Sequence, residues 1–343
     1  MRAVPLLPLL LGGWLALPVQ ADDAQDAINR LAKVDLSQSY QGTFVYERNG
    51  SFSTHKIWHR IADGKVQERL LQLDGSAQEV LRVGGLTECV SGTLEAGVAN
   101  PAVSTARAFD VKRLSAWYDM KIVGKSRVAG RQTTIVALSP KDQHRYGLEL
   151  HLDNETGLLL KSLLLSEKGQ LLERFQFTDL DTASVLSDQV LKASAECKPV
   201  AVVKAKPEVS ISPVAWRSDW LPPGFELSSS GVRKDPATQW RSDWLPPGFE
   251  LSSSGVRKDP ATQSSVTRLM YGDGLARFSV FIEAVKGSSS SDIRTQLGPT
   301  AAVSRRLTTP QGDMMVTVVG EVPMGTAERI ALSMRSDDTP AKQ

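Results

Sequence analysis

From Gly42 to Val83, and again from Arg131 to Phe177, the chain alternates apolar and polar residues in short runs separated by tight-turn dipeptides. Alternation places every second side chain on the same face of a strand, and short turns between such runs force neighbouring strands to pair antiparallel. In "GTFVYERNGSFSTHKIWHRI" two runs flank Asn49-Gly50, the pair that best fits a type I′ hairpin turn. The run from Val66 to Leu73 stops at Asp74-Gly75, and that from Glu79 to Val83 stops at Gly84-Gly85. In the second stretch, Leu148, Leu150 and Leu152 are expected on one face and Glu149, His151 and Asp153 on the other, with turns at Asp153 to Gly157 and Ser166 to Gly169. So many consecutive strands make a curved antiparallel sheet, whose apolar face must be covered by a helix or closed on itself.

Ahead of the strands, "DDAQDAINRLAKVDL" sets Ala24, Ile28, Leu31 and Ala32 on one stripe, the pattern of an amphipathic helix. The segment "VKRLSAWYDM" is a second helical candidate. Beyond the sheet, "CKPVAVVKAKPEVSISPVA" is rich in proline, lacks aromatic residues and reads as an extended connector over 197–215. After it come a hairpin in "VTRLMYGDGLARFSVFIEAV", a "GSSSS" loop, a strand in "DMMVTVVGEVP" and a short helix in "GTAERIALSM", with Ala327, Ile330, Ala331 and Met334 at helical spacing. The expected class is α+β: a large domain over 22–196, the connector, and a smaller domain that starts within 216–263 and continues through 264–343.

The segment 216–263 is two identical copies of one 24-residue unit, "WRSDWLPPGFELSSSGVRKDPATQ", at 216–239 and 240–263. A solenoid needs about three or more drifting units, so two perfect copies indicate a recent tandem duplication. One unit makes sense as an aromatic anchor with a Pro-Pro-Gly turn leading into a strand. The other becomes an insertion that lengthens a loop at little entropic cost and carries two further tryptophans, which is expected to weaken the protein.

The first residues, "MRAVPLLPLLLGGWLALPVQADDAQ", place Arg2 before an apolar run ending in Val19-Gln20-Ala21, the pattern of an export signal over 1–21 with the mature chain starting at Asp22. No later run is apolar enough to span a bilayer, so the expected location is an extracytoplasmic compartment. In such a compartment Cys89 and Cys197, the two cysteines of the 343-residue chain, form either a disulfide or two separate thiols, and the sequence leaves both open.

With 40 basic and 38 acidic residues intermixed, no single-sign block offers a nucleic-acid footprint. "YGDGLARF" lacks the third glycine of a phosphate loop and reads as a hairpin turn. His55 and His59 have zinc-helix spacing but lie on an alternating strand, where solvent-facing side chains are expected, and two lone cysteines make no metal site. His144 and His151 lie near Asp142 and Asp153, yet no Gly-x-Ser-x-Gly elbow supports a hydrolase. The residues therefore point to a binding or regulatory protein without a cofactor, rather than an enzyme.

Four longer blocks, "KRLSAWYDMKIVGKSRVAGR", "WLPPGF" followed by "SSS", "MYGDGLARFSVF" and "VVGEVPMGTAERIA", resemble in this order the RseB/MucB family of periplasmic regulators of extracytoplasmic-stress sigma factors. The second copy of the Trp-Pro unit departs from the family. The resemblance implies a first domain similar to the lipoprotein carriers LolA and LolB. It also implies that the second domain and the interdomain surface hold the periplasmic segment of an RseA/MucA-type anti-sigma factor, shielding it from proteolysis until acyl chains of lipid or lipopolysaccharide trigger release.

On this reading Phe44, Tyr46, Trp58, Leu148, Leu150, Leu152, Phe175 and Phe177 line a lipid-sized pocket or form an ordinary core. Tyr271, Asp273, Arg277, Phe278 and Phe281 offer a partner surface or a small-domain core. A lipid or lipoprotein carrier is the competing reading, and monomer and homodimer both remain open.

Overall fold

The structure is a computed structural model that describes residues 19–34, 36–75, 78–91, 110–199, 240–258, 265–285, 292–309 and 312–336. Most of the expected export signal and connector, the first repeat copy and the Gly-Ser loop lie outside the described residues.

The first domain opens with helix α1 (Val19–Val34), which starts ahead of the expected processing point. Five strands follow: β1 (Tyr40–Arg48), β2 (Ser51–Ala62), β3 (Lys65–Gln72), β4 (Glu79–Val83) and β5 (Leu86–Val90). Helix α2 (Val111–Trp117) leads into β6 (Tyr118–Val128), β7 (Arg131–Pro140), β8 (Gly147–Asp153), β9 (Leu159–Leu165) and β10 (Leu171–Asp181). A short 3₁₀ turn at Asp188–Leu191 and the two-residue β11 (Lys198–Pro199) complete the domain. All eleven strands form one antiparallel sheet in the order β11-β5-β4-β3-β2-β1-β10-β9-β8-β7-β6.

The turns follow the sequence chemistry. Asn49 and Gly50 both have positive φ (53° and 73°), as the β1–β2 hairpin expected of this dipeptide requires. At Gly42, a Cβ would sit 2.5 Å from the Asp179 carbonyl oxygen and 2.8 Å from the Phe177 ring, so only glycine lets β10 approach β1 this closely.

One core lies between the sheet and the helices. Ala24, Ile28 and Leu31 of α1 meet Phe44, Tyr46, Leu150, Leu152, Phe175 and Phe177, with Leu148 packed at its margin. Phe44 lies 4.8 Å from Phe175 and 5.8 Å from Phe177 between ring centroids, and burying each such ring stabilises the fold by about 2–3 kcal/mol. Tyr46 satisfies its hydroxyl by donating to Glu173 Oε2 at 2.6 Å.

Trp58 does not belong to this set. Strand alternation sends Ile57 toward α1 and Trp58 to the opposite face, where it packs with Leu186 and Leu191 under the flanking cations of Lys56 and Arg69. The expected solvent-facing histidines are also corrected. His59 is fully buried, stacked on Tyr40 at 4.6 Å with Nδ1 2.9 Å from Glu68 Oε1, and His55 stacks on Phe44 at 5.1 Å. Both share the inner face with the aromatic residues of β1, which cover them. The outer-face residues His151 and Asp153 are buried as well; Asp153 caps its turn through Thr156 and pairs with Arg131 at 2.8 Å.

Cys89 and Cys197 are joined in a disulfide, with Cα atoms 5.4 Å apart, which fastens β11 to β5. The start of the expected connector is therefore part of the first sheet.

The second domain contains β12 (Trp240–Ser242), β13 (Glu250–Lys258), β14 (Ser265–Gly272), β15 (Arg277–Ala284), β16 (Ile293–Leu297), β17 (Thr300–Thr309), β18 (Gly312–Gly320), helix α3 (Met324–Ser333) and β19 (Met334–Ser336). Six of these strands form an antiparallel sheet in the order β13-β14-β15-β18-β17-β16, and β12 pairs with β19. Helix α3 buries Ala327, Ile330 and Ala331 against this sheet, as the helical spacing predicts, and Met334 follows them into the core. Helix on sheet in each domain makes the protein α+β. The hairpin β16–β17 has no counterpart among the sequence expectations, because "DIRTQLGPTAAVSRRL" does not alternate cleanly.

Candidate functional site at the domain junction

The second repeat copy is the docked one, and it supplies part of the second domain's wall of the junction. Trp240 lies in the second core on β12, and the Pro246-Pro247-Gly248-Phe249 turn closes with Phe249 N donating to Pro246 O at 3.2 Å. Gly248 has φ +85°, and a Cβ there would fall 2.3 Å from the indole of Trp117. Glycine thus lets a turn of the second domain lie flat on a tryptophan of the first.

The first domain contributes α2 and the β7–β8 loop. Asp110 caps α2 by accepting from Arg113 N at 3.1 Å, which fixes the helix that carries Arg113 and Trp117. Arg113 Nη2 donates to Gly272 O at 3.2 Å and Gly248 O at 3.4 Å, and pairs with Glu250 at 3.1 Å.

Arg145, in the β7–β8 loop, is the centre of the junction and has no solvent exposure. Its Nε donates to Asp273 Oδ2 at 2.6 Å, and its other nitrogens reach Asp142 and the Pro247 carbonyl. The guanidinium lies 4.9 Å over the Trp117 ring and 4.8 Å over the Phe249 ring. A buried arginine is tolerated when its charge is paired and its donors are filled, and here two carboxylates, one carbonyl and two aromatic faces do so. Asp273 in turn accepts from Leu275 N and Ala276 N, both at 2.8 Å, so the β14–β15 turn holds the carboxylate in place. Burial and the Asp273 charge push the nearby Tyr118 hydroxyl far above its ordinary range, keeping it neutral.

Three further residues of the first domain extend the junction. His144 Nδ1 lies 3.1 Å from Thr326 Oγ1, and its ring meets Trp244 edge-on at 5.0 Å, with the Arg329 guanidinium 4.0 Å over the same indole. Burial and the charges of Arg329 and Arg145 lower the His144 pKa, against the pull of Asp142. Tyr146 donates to Val322 O at 2.9 Å, and Arg48 pairs with Glu321 at 3.4 Å.

Two grooves flank these contacts. One, of about 810 Å³, is bounded by Pro140, Asp142, His144, Arg145, Leu148 and Leu165; the other, of about 420 Å³, lies between Asn49, Leu172, Gln296 and Gly298. The larger combines apolar walls with ionisable groups. Among the described residues no His, Cys, Asp and Glu cluster could hold a metal ion, and no helix is long and apolar enough to cross a membrane.

The residues expected at a partner surface are separated by the fold. Tyr271 and Phe278 stack at 5.0 Å in the second core, where burial pushes the Tyr271 hydroxyl up to about 12. Asp273 enters the junction, Arg277 is exposed, and Phe281 points to the sheet's opposite face beside Arg268 at 5.9 Å. Strand alternation again explains the division, since Phe278 and Phe281 differ by an odd number of positions. Arg113, Trp117, His144 and Arg145 were absent from the expected site. The Asp142-x-x-Arg145 spacing was a local signal, but the partner Asp273 is 128 residues away.

Comparison with known proteins covers both domains. Residues 23–195 match the MucB/RseB N-terminal domain model and residues 234–335 the MucB/RseB C-terminal domain model. The chain is 54% identical over 344 residues to the sigma factor AlgU regulatory protein MucB of Pseudomonas aeruginosa, spanning 100% of both chains. It is 27% identical over 323 residues to the sigma-E factor regulatory protein RseB of Haemophilus influenzae, with 91% of each covered. Among solved structures, the complex of P. aeruginosa MucA/MucB superposes with a TM-score of 0.76 at 53% identity, covering 92% of this chain and 100% of that one. MucB in complex with MucA(peri) gives 0.74 with the same identity and coverage. A crystal structure of MucB gives 0.64 at 52% identity, over 92% and 98%.

Proposed function

Because the chain belongs to the MucB/RseB family, we propose that it is a periplasmic regulator that binds the periplasmic segment of a membrane-bound anti-sigma factor of the RseA/MucA type and thereby keeps an envelope-stress sigma factor inactive. The observation that carries this reading is the arrangement of the two domains. Over the same 92% of the chain and at nearly the same identity, it is closer to the two complexes of MucB with MucA than to the crystal structure of MucB. The Arg145 junction that holds the arrangement draws on both domains, which accounts for the presence of two domains where a lipid carrier needs only the first.

The bound segment lies along the grooves beside the junction, where Asp142, His144 and the Leu148 edge offer polar and apolar contact together. Occupancy there shields the anti-sigma factor from regulated proteolysis. The Phe44, Phe175 and Phe177 cluster beneath α1 is the lipid-responsive element: an acyl chain entering it displaces α1 and loosens the junction through α2, which shares that core. The export signal over 1–21 delivers the chain to the periplasm.

A protease-protection assay tests this reading. The purified periplasmic region of the anti-sigma factor from the same organism is incubated with its site-1 protease, with and without this protein. Protection at stoichiometric amounts, lost on addition of lipopolysaccharide, is the expected result; cleavage at an unchanged rate would refute it.

A further inference from the structure

One slot and two identical plugs occur in the same molecule. The slot is filled by residues 240–258, and every part of that segment is engaged. Trp240 pairs with Ser336 across β12–β19, Trp244 lies between His144 and Arg329, Gly248 rests on Trp117, Phe249 meets Phe278 at 5.3 Å, and β13 pairs with β14 along its length. The first copy repeats these residues in the same order. Trp216 stands for Trp240, Trp220 for Trp244, Gly224 for Gly248, Phe225 for Phe249 and Glu226 for Glu250.

We propose that the two copies exchange in this slot, so that the protein populates two docked registers that build the same junction. Contact energies cancel between the registers, because each contact is made by the same side chain with the same partner. Only the loops differ. With the second copy docked, the extra 24 residues lengthen the connector after Pro199; with the first docked, they lengthen the short connection from β13 to β14. Loop-closure cost rises with the logarithm of length, so extending the short connection is the more costly choice, and the second copy is favoured by about threefold.

The exchange needs no opening of the sheet interior. Among the described residues β13 is an edge strand with a single neighbour, β14, and β12 has a single neighbour, β19. Withdrawal therefore breaks two ladders, lifts Trp240 and Phe249 out of the second core and breaks the contacts of Trp244, Arg113 and Arg145, while the β14-β15-β18-β17-β16 sheet and α3 keep their own pairing. In this light the duplication makes the junction wall redundant: a lesion confined to one copy leaves the other to replace it. The sequence-based expectation that the repeat weakens the protein does not take this exchange into account.

Copy-specific substitution tests the proposal without any partner. Trp220→Ala, Trp244→Ala and the double variant are made in the full chain, and Trp220→Ala is also made in a chain lacking 240–263, which measures the whole cost of losing the docked tryptophan. Thermal unfolding and mass-mapped limited trypsin digestion are read for each. The expected results are an unchanged midpoint for Trp220→Ala, a small drop for Trp244→Ala, and for the double variant a drop as large as in the single-copy chain. Trypsin cleavage is expected to move from Arg233 and Lys234 in the parent to Arg257 and Lys258 in Trp244→Ala. If Trp244→Ala alone lowers the midpoint as much as the double variant, or leaves the cleavage pattern unchanged, the two copies do not exchange.

Discussion

Arg145 of the first domain and Asp273 of the second meet at 2.6 Å with both side chains fully withdrawn from solvent. Removing one partner of such a pair strands the other charge in a dry interior, at a cost of about 3–5 kcal/mol. Arg145→Ala is therefore expected to uncouple the domains, visible as a single calorimetric transition splitting into two. Asp273→Asn is expected to cost less, since Asp142 still pairs with the guanidinium and the Asn oxygen can keep the bonds from Leu275 and Ala276, although its amide nitrogen then faces the Arg145 Nε–H donor. An Arg145→Ala variant as stable as a surface substitution would contradict the role assigned to this pair.

The junction should weaken in acid. His144 faces Asp142, Arg145, Arg329, Thr326 and Trp244, and burial, Arg329 and Arg145 lower its pKa below the ordinary 6.5. A histidine with a lowered folded-state pKa binds its proton more readily when unfolded, so stability is present above about 6.5 and is lost as pH falls below it. His55 and His151 shift in the same direction and contribute to the same loss. His144→Gln should remove one component: between pH 8 and 5 its unfolding midpoint should fall less than the parent's, and equal falls would exclude a contribution from His144.

The disulfide spans 108 positions and fastens the last strand of the first domain. Closing so long a loop in the unfolded chain stabilises the fold by about 4–5 kcal/mol on the chain-entropy model. Cys197→Ser should lower the denaturant midpoint of the first domain, and a reducing agent should bring the parent to the same value. A parent insensitive to reduction would show that the bond contributes little.

Gly42 offers a test of the first core. Gly42→Ala puts a methyl group 2.5 Å from the Asp179 carbonyl oxygen, a clash that neither rigid strand can easily relieve. A loss of about 1–3 kcal/mol is expected, read by chemical denaturation, with a larger loss for Gly42→Val. A neutral effect would mean that β1 and β10 can separate at no cost.

These tests also mark what the sequence made legible. Local chemistry was readable: Asn49-Gly50 specified its turn, Ala24, Ile28 and Leu31 specified the buried stripe of α1, and Ala327, Ile330 and Ala331 that of α3. Trp58 and Phe281 were misplaced because hydrophobicity alone does not tell which face of a strand a residue occupies when both faces are partly covered. The junction was hidden for a different reason. Arg145, Trp117 and Asp273 come together only when two domains dock, and no local pattern announces a contact across 128 residues. The proline-rich connector supplied the two-domain plan and the family resemblance the partner class, but neither carried information on which side chains join the domains.

The most direct test of the account is a calorimetric titration of the processed protein, and of its Arg145→Ala variant, with the purified periplasmic region of the anti-sigma factor from the same organism. The account predicts saturable binding at fixed stoichiometry by the parent and at least tenfold weaker binding by the variant. Equal affinity of the two would remove the junction from the binding site, and an absence of binding by the parent would contradict the regulatory function itself.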